Sequence, residues 1–325
     1  MDRQALGTSE VTISTVGLGG LELGGNDPAA GDPTVSEATE VLQTARAAGT
    51  NWLDTSEQYQ QTRNESLIGE ALQEINSDML IATKLAPSPS GTGFHREEVH
   101  AGCRASLKRL RREHIDIYFL HWPDASGVPL DETWGAMTEL VEEGLVRAIG
   151  LSNYAIEEVE RCHTQRRVDV VQDGLSLIDY LTHRQQFARC HQLGIGVVAY
   201  EAIGAGILTG KSLAQVREVW KKYTAWPFYQ RLLAPGKAER SFAVVDGMRP
   251  IAARLGVSVA QLAIAWVLHQ DGVIAALAGS RRPANVRQNA QAADVQLAPD
   301  ALAELEALIP LGPTMVETPQ GDAQT

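Results

Sequence analysis

The sequence predicts a parallel α/β barrel of the (β/α)8 type, and three observations carry that expectation. Eight short apolar runs that read as buried strands recur along the chain. Amphipathic stretches, with apolar residues at three- and four-residue spacing, lie between most of them, the alternation that builds a parallel sheet with helices outside it. The length of 325 residues and a hydrophobic content of 44% suit one such barrel and leave little for a second full domain.

The first run, TVGLG (15–19), follows an amino end without the basic and then apolar segments of an export signal. The pattern over 36–48 predicts the first helix, with Ser36 before EATEVL as its N-cap and Gly49 just past its end, where glycine most easily takes a left-handed conformation. TNWLD (50–54) and 63–74 form the next strand and helix, and MLIATKL (79–85) leads into 96–112, whose inner stripe is Val99, Cys103, Leu107 and Leu110. IDIYFLH (115–121) precedes 131–143, with Asp131 before ETWGAM as the cap. LVRAIGLS (145–152) pairs with 155–162, and VDVVQ (168–172) with 182–193, which ends at Gly194. After IGVVAY (195–200) the alternation breaks: 204–240, with GAGILTGK and KKYTAWPFYQRLLAPGK, reads as one long loop of the functional kind. Helices at 241–254 and 258–270 and the strand VIAALAG (273–279) complete the count, and the tail 310–325, rich in Pro, Thr, Gln and Gly, is expected to be poorly ordered. Residues 1–325 thus read as a single-domain TIM barrel.

Composition removes several function classes. A net charge of −12 opposes nucleic acid or an anionic membrane as partner, since both are polyanions. No apolar stretch approaches the roughly 18 to 20 residues of a membrane span. Cys103, Cys162 and Cys190 are odd in number, widely spaced and without a CxxC pair, so neither a disulfide framework nor a metal site is expected, and reduced thiols in the cytoplasm fit best. The sequence specifies no oligomeric state.

The chemistry lies at strand ends. Asp54, Tyr59, Lys84 and His121 each sit at or just past the carboxyl end of a predicted strand, and a barrel gathers those ends on one face, where such folds keep their active sites. A tyrosine hydroxyl, with an ordinary pKa of about 10, is a poor acid at neutral pH, but an adjacent ammonium stabilises the phenolate and lowers that value. Lys84 could supply the charge, Asp54 could hold the ammonium in place, and His121 could donate a hydrogen bond to a carbonyl oxygen. Taken singly, Asp54 could cap the turn TSEQ, Tyr59 could be a packed loop aromatic, and Lys84 and His121 could be ordinary strand-end residues. Together they suit proton transfer to a developing alkoxide. A Schiff-base role for Lys84 would need a depressed pKa, which a neighbouring Asp54 opposes.

With those residues in place the chain resembles an aldo-keto reductase. The likeness runs through LGTSEVTISTVGLGGLELGG, NWLDTSEQYQQTRNESLIGEAL, LIATKL, LKRLRREHIDIYFLHWPD, AIGLSNY, VVAYEAIGAGILTGK and GVSVAQLAIAWVLHQDGVIAALAGSRRPANVRQN, nearly the whole chain in the family's order. The resemblance implies that Tyr59 is the general acid or base, that Lys84 and Asp54 tune it, and that His121 orients a carbonyl for hydride transfer from a nicotinamide. It places Ser152, Asn153 and Gln172 at the carboxamide and Tyr200 against the ring. In the segment from Gly279, it sets Ser280 and Arg281 near the 2′-phosphate, Asn285 beside them, and Gln288 and Asn289 at the adenine. A helix start with flanking arginine suits an anion, which favours NADPH while leaving NADH possible. No GxGxxG follows the first strand, and this family binds its cofactor without that motif.

Departures from the family pattern are Gln60 after the tyrosine, Gly174 and Leu175 near a frequent aromatic, and Glu201 and Ala202 where Ser and Pro often follow the stacking tyrosine. Loops would supply the substrate contacts, with Leu21, Glu22, Trp122 and the aromatics Trp220, Tyr223, Trp226, Phe228 and Tyr229 as candidates. The expected activity is NADP(H)-dependent reduction of a small aldehyde or ketone, or the reverse oxidation of a sugar-like or other hydroxylated substrate. A non-catalytic redox-sensing subunit, like the β subunits of voltage-gated potassium channels, is the alternative.

Overall fold

Strands buried on both faces by surrounding helices carry near-continuous apolar runs, and all eight predicted runs form such strands in the computed structural model. It describes residues 1–7, 9–24, 31–87, 94–178, 184–220, 234 and 236–309. A hairpin of β1 (Arg3–Ala5) and β2 (Thr12–Ser14) precedes the barrel strands β3 (Val16–Gly19), β4 (Trp52–Asp54), β5 (Leu80–Leu85), β6 (Ile115–Leu120), β7 (Val146–Ser152), β8 (Val170–Gly174), β9 (Gly196–Tyr200) and β10 (Val273–Gly279). The last eight close in the order β10-β3-β4-β5-β6-β7-β8-β9, every neighbouring pair parallel.

The hairpin gave no sequence signal, because its strands are three residues each and the first is exposed throughout. Its Leu6, Val11 and Ile13 nevertheless pack with Trp52, Ile117, Phe119, Val170 and Val198 in the barrel interior. Ser14 N donates to Asn51 Oδ1 at 2.7 Å, and Trp52 Nε1 donates to Ser14 O at 2.9 Å. The hairpin therefore covers the amino-terminal ends of the strands. The opposite mouth is left to the loops that follow each strand.

Around the barrel run α1 (Val35–Ala47), α2 (Arg63–Glu74), α3 (Arg96–Leu110), α4 (Leu130–Glu142), α5 (Ile156–Gln165), α6 (Arg184–Gln192), α7 (Leu213–Trp220), α8 (Lys237–Leu255), α9 (Val259–Leu268), α10 (Pro283–Ala290) and α11 (Pro299–Glu306). The stripe Val99, Cys103, Leu107 and Leu110 is buried as expected, and Gly49 and Gly194 take φ of +93° and +69°.

Two caps differ from expectation. Thr34, not Ser36, caps α1, because Glu37 three residues on returns a carboxylate to the Thr34 backbone, so two otherwise free N–H groups are satisfied reciprocally. Asp131 lies within the first turn of α4, which starts after Pro129, and pairs with Arg161 at 2.5 Å. The segment 204–240 is also not one loop. A 3-10 helix, Gly204–Thr209, and α7 occupy its start, and α8 begins at Lys237, four residues before the expected helix. Tyr223, Trp226, Phe228, Tyr229 and the tail from 310 lie outside the described residues.

Among the described residues no single helix is long and apolar enough to cross a membrane, and no group of three His, Cys, Asp or Glu side chains could hold a metal ion. The three cysteines are buried free thiols, each pushed up by burial to a pKa of about 12.

Candidate active site

Asp54 is the last residue of β4, only 4% exposed, and the chain around it is fixed by backbone bonds. Gly20 N donates to Asp54 O at 2.7 Å. A Cβ at Gly20 would stand 2.5 Å from that oxygen, so only glycine lets the chain leaving β3 come this close. Beyond Asp54, Thr55 N donates to Ala82 O at 2.8 Å and Glu57 N to Lys84 O at 3.4 Å, which holds the loop along the end of β5. Buried Asn64 on α2 accepts from Thr55 Oγ1 at 2.5 Å and donates to Gly20 O at 2.8 Å. Gln60, Gln61 and Thr62 then all take positive φ, +47°, +53° and +72°, a left-handed run that turns the chain into α2 just after Tyr59. Glutamine at 60, where the family often has glycine, adopts the left-handed conformation.

Lys84, 1% exposed on β5, aims its ammonium into this loop. It donates to Asp54 Oδ1 in a short ion pair, to Thr55 O at 2.8 Å and to Tyr59 Oη at 3.4 Å. His121 follows β6, its N–H bonded to Leu85 O at 2.8 Å. Its ring meets the Tyr59 ring edge-on at 5.8 Å, and the Trp122 ring lies 4.3 Å from it at an angle of 42°. The structure thus brings Asp54, Tyr59, Lys84 and His121 together from three strand ends.

Burial would lower the Lys84 pKa, but Asp54 and then Tyr59 outweigh it and leave it raised. Burial and the Lys84 charge both push His121 well down, so its ring is neutral at neutral pH. For Tyr59 the sequence-based expectation is corrected: burial raises its pKa more than Lys84 lowers it, and the net direction is up. The lysine restrains the rise that burial imposes.

The residues assigned by resemblance to a nicotinamide adjoin this group. Ser152 and Gln172 face each other across the β7–β8 register, both nearly fully buried. Gln172 Nε2 donates to Asp54 Oδ2 at 2.8 Å. Asn153, with φ of +63°, donates to His121 O at 2.9 Å and to Ser152 Oγ at 3.0 Å, and accepts from Tyr200 Oη at 2.6 Å. Tyr200 ends β9, and its ring lies 3.4 Å from where a Cβ on Gly174 would stand. A Cβ at that departure from the family pattern would only touch the ring at ordinary van der Waals distance. Glu201, the next departure, takes φ of +60°.

At the end of β10, after Gly279, Ser280 Oγ accepts from Arg282 N at 3.1 Å and from Asn285 Nδ2 at 3.2 Å, which leaves its own proton to donate. Arg281, 19% exposed, donates to Gly31 O at 2.9 Å and lies 3.9 Å from Glu37. Asn285 and Gln288 are exposed on α10, while Asn289 is buried. Leu21 opens a 3-10 helix, Leu21–Gly24, directly after β3; Trp226 lies outside the described residues. Sequence reasoning missed Gly20, Thr55, Ser56 and Asn64. Thr55 and Ser56 had only their adjacency to Asp54, Asn64 its place on α2 and Gly20 the glycine-rich run after β3 as a signal, and the partners that matter come from other elements.

At the carboxyl ends of its strands the closed parallel barrel carries a buried lysine between a carboxylate and a tyrosine hydroxyl. The chain belongs to the aldo/keto reductase family, whose profile matches residues 15–310. A probable voltage-gated potassium channel subunit beta from Arabidopsis thaliana is 31% identical over 338 residues, 98% of this chain and 99% of that protein. Probable aldo-keto reductase 1 of Glycine max is 31% identical over 315 residues, 94% of this chain and 88% of that one. Among solved structures, a glycerol dehydrogenase from Gluconobacter oxydans superposes with a TM-score of 0.81 at 26% identity, covering 97% of this chain and 98% of that one.

Proposed function

We propose that this protein is an NADP(H)-dependent oxidoreductase that reduces a small aldehyde or ketone to the alcohol, with residues 1–325 serving as one cytoplasmic catalytic domain. The observation that carries the reading is the Lys84 ammonium, bonded at once to Asp54, Thr55 O and Tyr59 Oη. Such a lysine stabilises negative charge on the tyrosine oxygen at the moment a proton leaves it.

The residues present fit a nicotinamide. Tyr200 offers a ring face held by Asn153, and Ser280 Oγ, accepting from Arg282 N and Asn285 Nδ2, donates to none of the described residues; it lies after the last strand, a position where barrels commonly hold phosphate. Bound there, the nicotinamide supplies the hydride. His121, neutral, donates to the carbonyl oxygen and fixes its position; Tyr59 gives that oxygen its proton; Lys84 steadies the developing phenolate; and Asp54 keeps Lys84 charged. Run backwards, the same groups oxidise an alcohol, and similarity to a glycerol dehydrogenase supports a hydroxylated substrate in that direction. Similarity to a probable channel β subunit supports a second reading, a nucleotide-binding regulatory subunit.

Fluorescence titration with NADPH and NADH, followed by turnover screens over carbonyls and alcohols, separates the readings. Tyr59→Phe should bind nucleotide normally and lose at least 100-fold in turnover. An undiminished rate in that variant would sink the proposal, and nucleotide binding with no turnover on any carbonyl or alcohol would favour the regulatory reading.

A further inference from the structure

We infer that Ser56 sets the tautomer of His121 and so acts as a positioning residue for the N–H that meets the carbonyl oxygen. The inference rests on the carbonyl-binding role proposed for His121. Ser56 is fully buried, two residues past Asp54, and its hydroxyl has one proton to place. Its Oγ accepts from Gln58 N at 3.1 Å, lies 3.0 Å from His121 Nδ1, and lies 3.5 Å from Lys84 O.

The His121 ring is neutral, because burial and the Lys84 charge disfavour the imidazolium, so only one ring nitrogen carries hydrogen. Were that nitrogen Nδ1, Ser56 Oγ would receive two N–H groups, and its own proton would have only the 3.5 Å carbonyl, which already accepts from Glu57 N. Donation from Ser56 to Nδ1 instead gives the hydroxyl one donor in and one acceptor out, both near 3 Å, the better-satisfied arrangement for a buried group. The ring proton is then on Nε2, which hydrogen-bonds none of the described residues and remains for substrate.

The charged and titratable groups packed around the ring do not compete for its proton. Lys84 is a donor committed to Asp54, Thr55 O and Tyr59; both oxygens of Asp54 are occupied by Lys84 and Gln172; Tyr59 meets the ring through an edge. The tautomer is therefore decided by the hydrogen bond at the other nitrogen, the general rule for histidine.

The test is a two-bond proton–nitrogen NMR correlation on the full chain with 15N-labelled histidine at pH 7.5, His121 being assigned by the signals lost in His121→Asn. The wild type should show a protonated Nε2 and an unprotonated Nδ1. Ser56→Ala should shift both nitrogens towards mixed protonation and lower kcat for carbonyl reduction about 10-fold, with KM for the nucleotide unchanged. Ser56→Thr, which keeps the hydroxyl, should restore both. Protonated Nδ1 in the wild type, or an unaltered tautomer in Ser56→Ala, would overturn the inference. Should Ser56→Ala not fold, the wild-type spectrum and Ser56→Thr still decide it. The spectrum needs no substrate, so a failure of the catalytic proposal is seen separately, as absent turnover with the tautomer as stated.

Discussion

Gln172 donates its side-chain amide to Asp54 Oδ2 at 2.8 Å, across 118 positions of sequence, while Lys84 takes Oδ1 of the same carboxylate. Asp54 is thereby the joint between a residue placed by resemblance at the nicotinamide carboxamide and the lysine that bonds Tyr59. Anything that changes Asp54 reaches both halves of the proposed site.

Asp54→Asn is the direct probe of that joint. The asparagine keeps one acceptor for Lys84 Nζ but turns an NH2 towards Gln172, whose amide must rotate to accept from it, and the buried ammonium loses its counter-charge. Removing one partner of a buried ion pair costs about 3 to 5 kcal/mol. Urea unfolding should show a loss of that order, with turnover lower by at least about 100-fold. An unchanged unfolding midpoint would mean that Lys84 finds its stabilisation elsewhere.

How much of this was legible in sequence follows from what a barrel does to a chain. It gathers the carboxyl ends of the strands on one face, so once eight runs were counted, Asp54 at the end of β4, Lys84 near the end of β5 and His121 just past β6 were brought together. Periodicity likewise placed the α3 stripe. What failed depended on reach or on balance. Ser36 loses the α1 cap because Glu37 serves Thr34. The β1–β2 hairpin is too short and its first strand too exposed to show alternation. The direction of the Tyr59 shift turns on how far burial exceeds the Lys84 attraction, and Ser56 matters only because the loop after β4 passes under a histidine from β6.

The raised pKa of Tyr59 sets the pH dependence of turnover. Proton donation needs the phenol, which persists below its raised pKa, so carbonyl reduction should be flat in its kcat from about pH 7 to 9 and fall only above about pH 10. Oxidation of the alcohol needs the phenolate and should rise over that alkaline range. Steady-state rates in both directions check this; a reduction rate that falls tenfold between pH 7 and 9 would contradict it.

His121 gives a stability effect of opposite placement. Its folded pKa is depressed, so once pH drops below the unfolded value of about 6.5 the unfolded chain takes up a proton that the native ring refuses. Stability should therefore fall with falling pH in that window, by up to about 1.4 kcal/mol per pH unit from this residue. The comparison of wild type with His121→Asn by urea unfolding at pH 7.5, 6.0 and 5.0 isolates the contribution. Parallel pH profiles in the two proteins would show that the ring titrates normally in the fold.

Arg281 tests the choice of nucleotide. Its guanidinium donates to Gly31 O at 2.9 Å and lies 3.9 Å from Glu37, whose carboxylate is already engaged by Thr34. The arginine is thus held over the start of α1, and among the described residues its contacts with Gly31 O and Glu37 do not use all five of its N–H groups. A 2′-phosphate reaching it would gain charge-assisted bonds worth about 1.5 to 3 kcal/mol, whereas a nucleotide without that phosphate would gain none. Arg281→Gln should therefore weaken NADPH binding by about 10-fold or more and leave NADH within about 2-fold, as read by fluorescence titration. Equal weakening for both would assign Arg281 to holding the loop at Gly31, because a residue that only shapes the backbone cannot distinguish two ligands that differ by a phosphate.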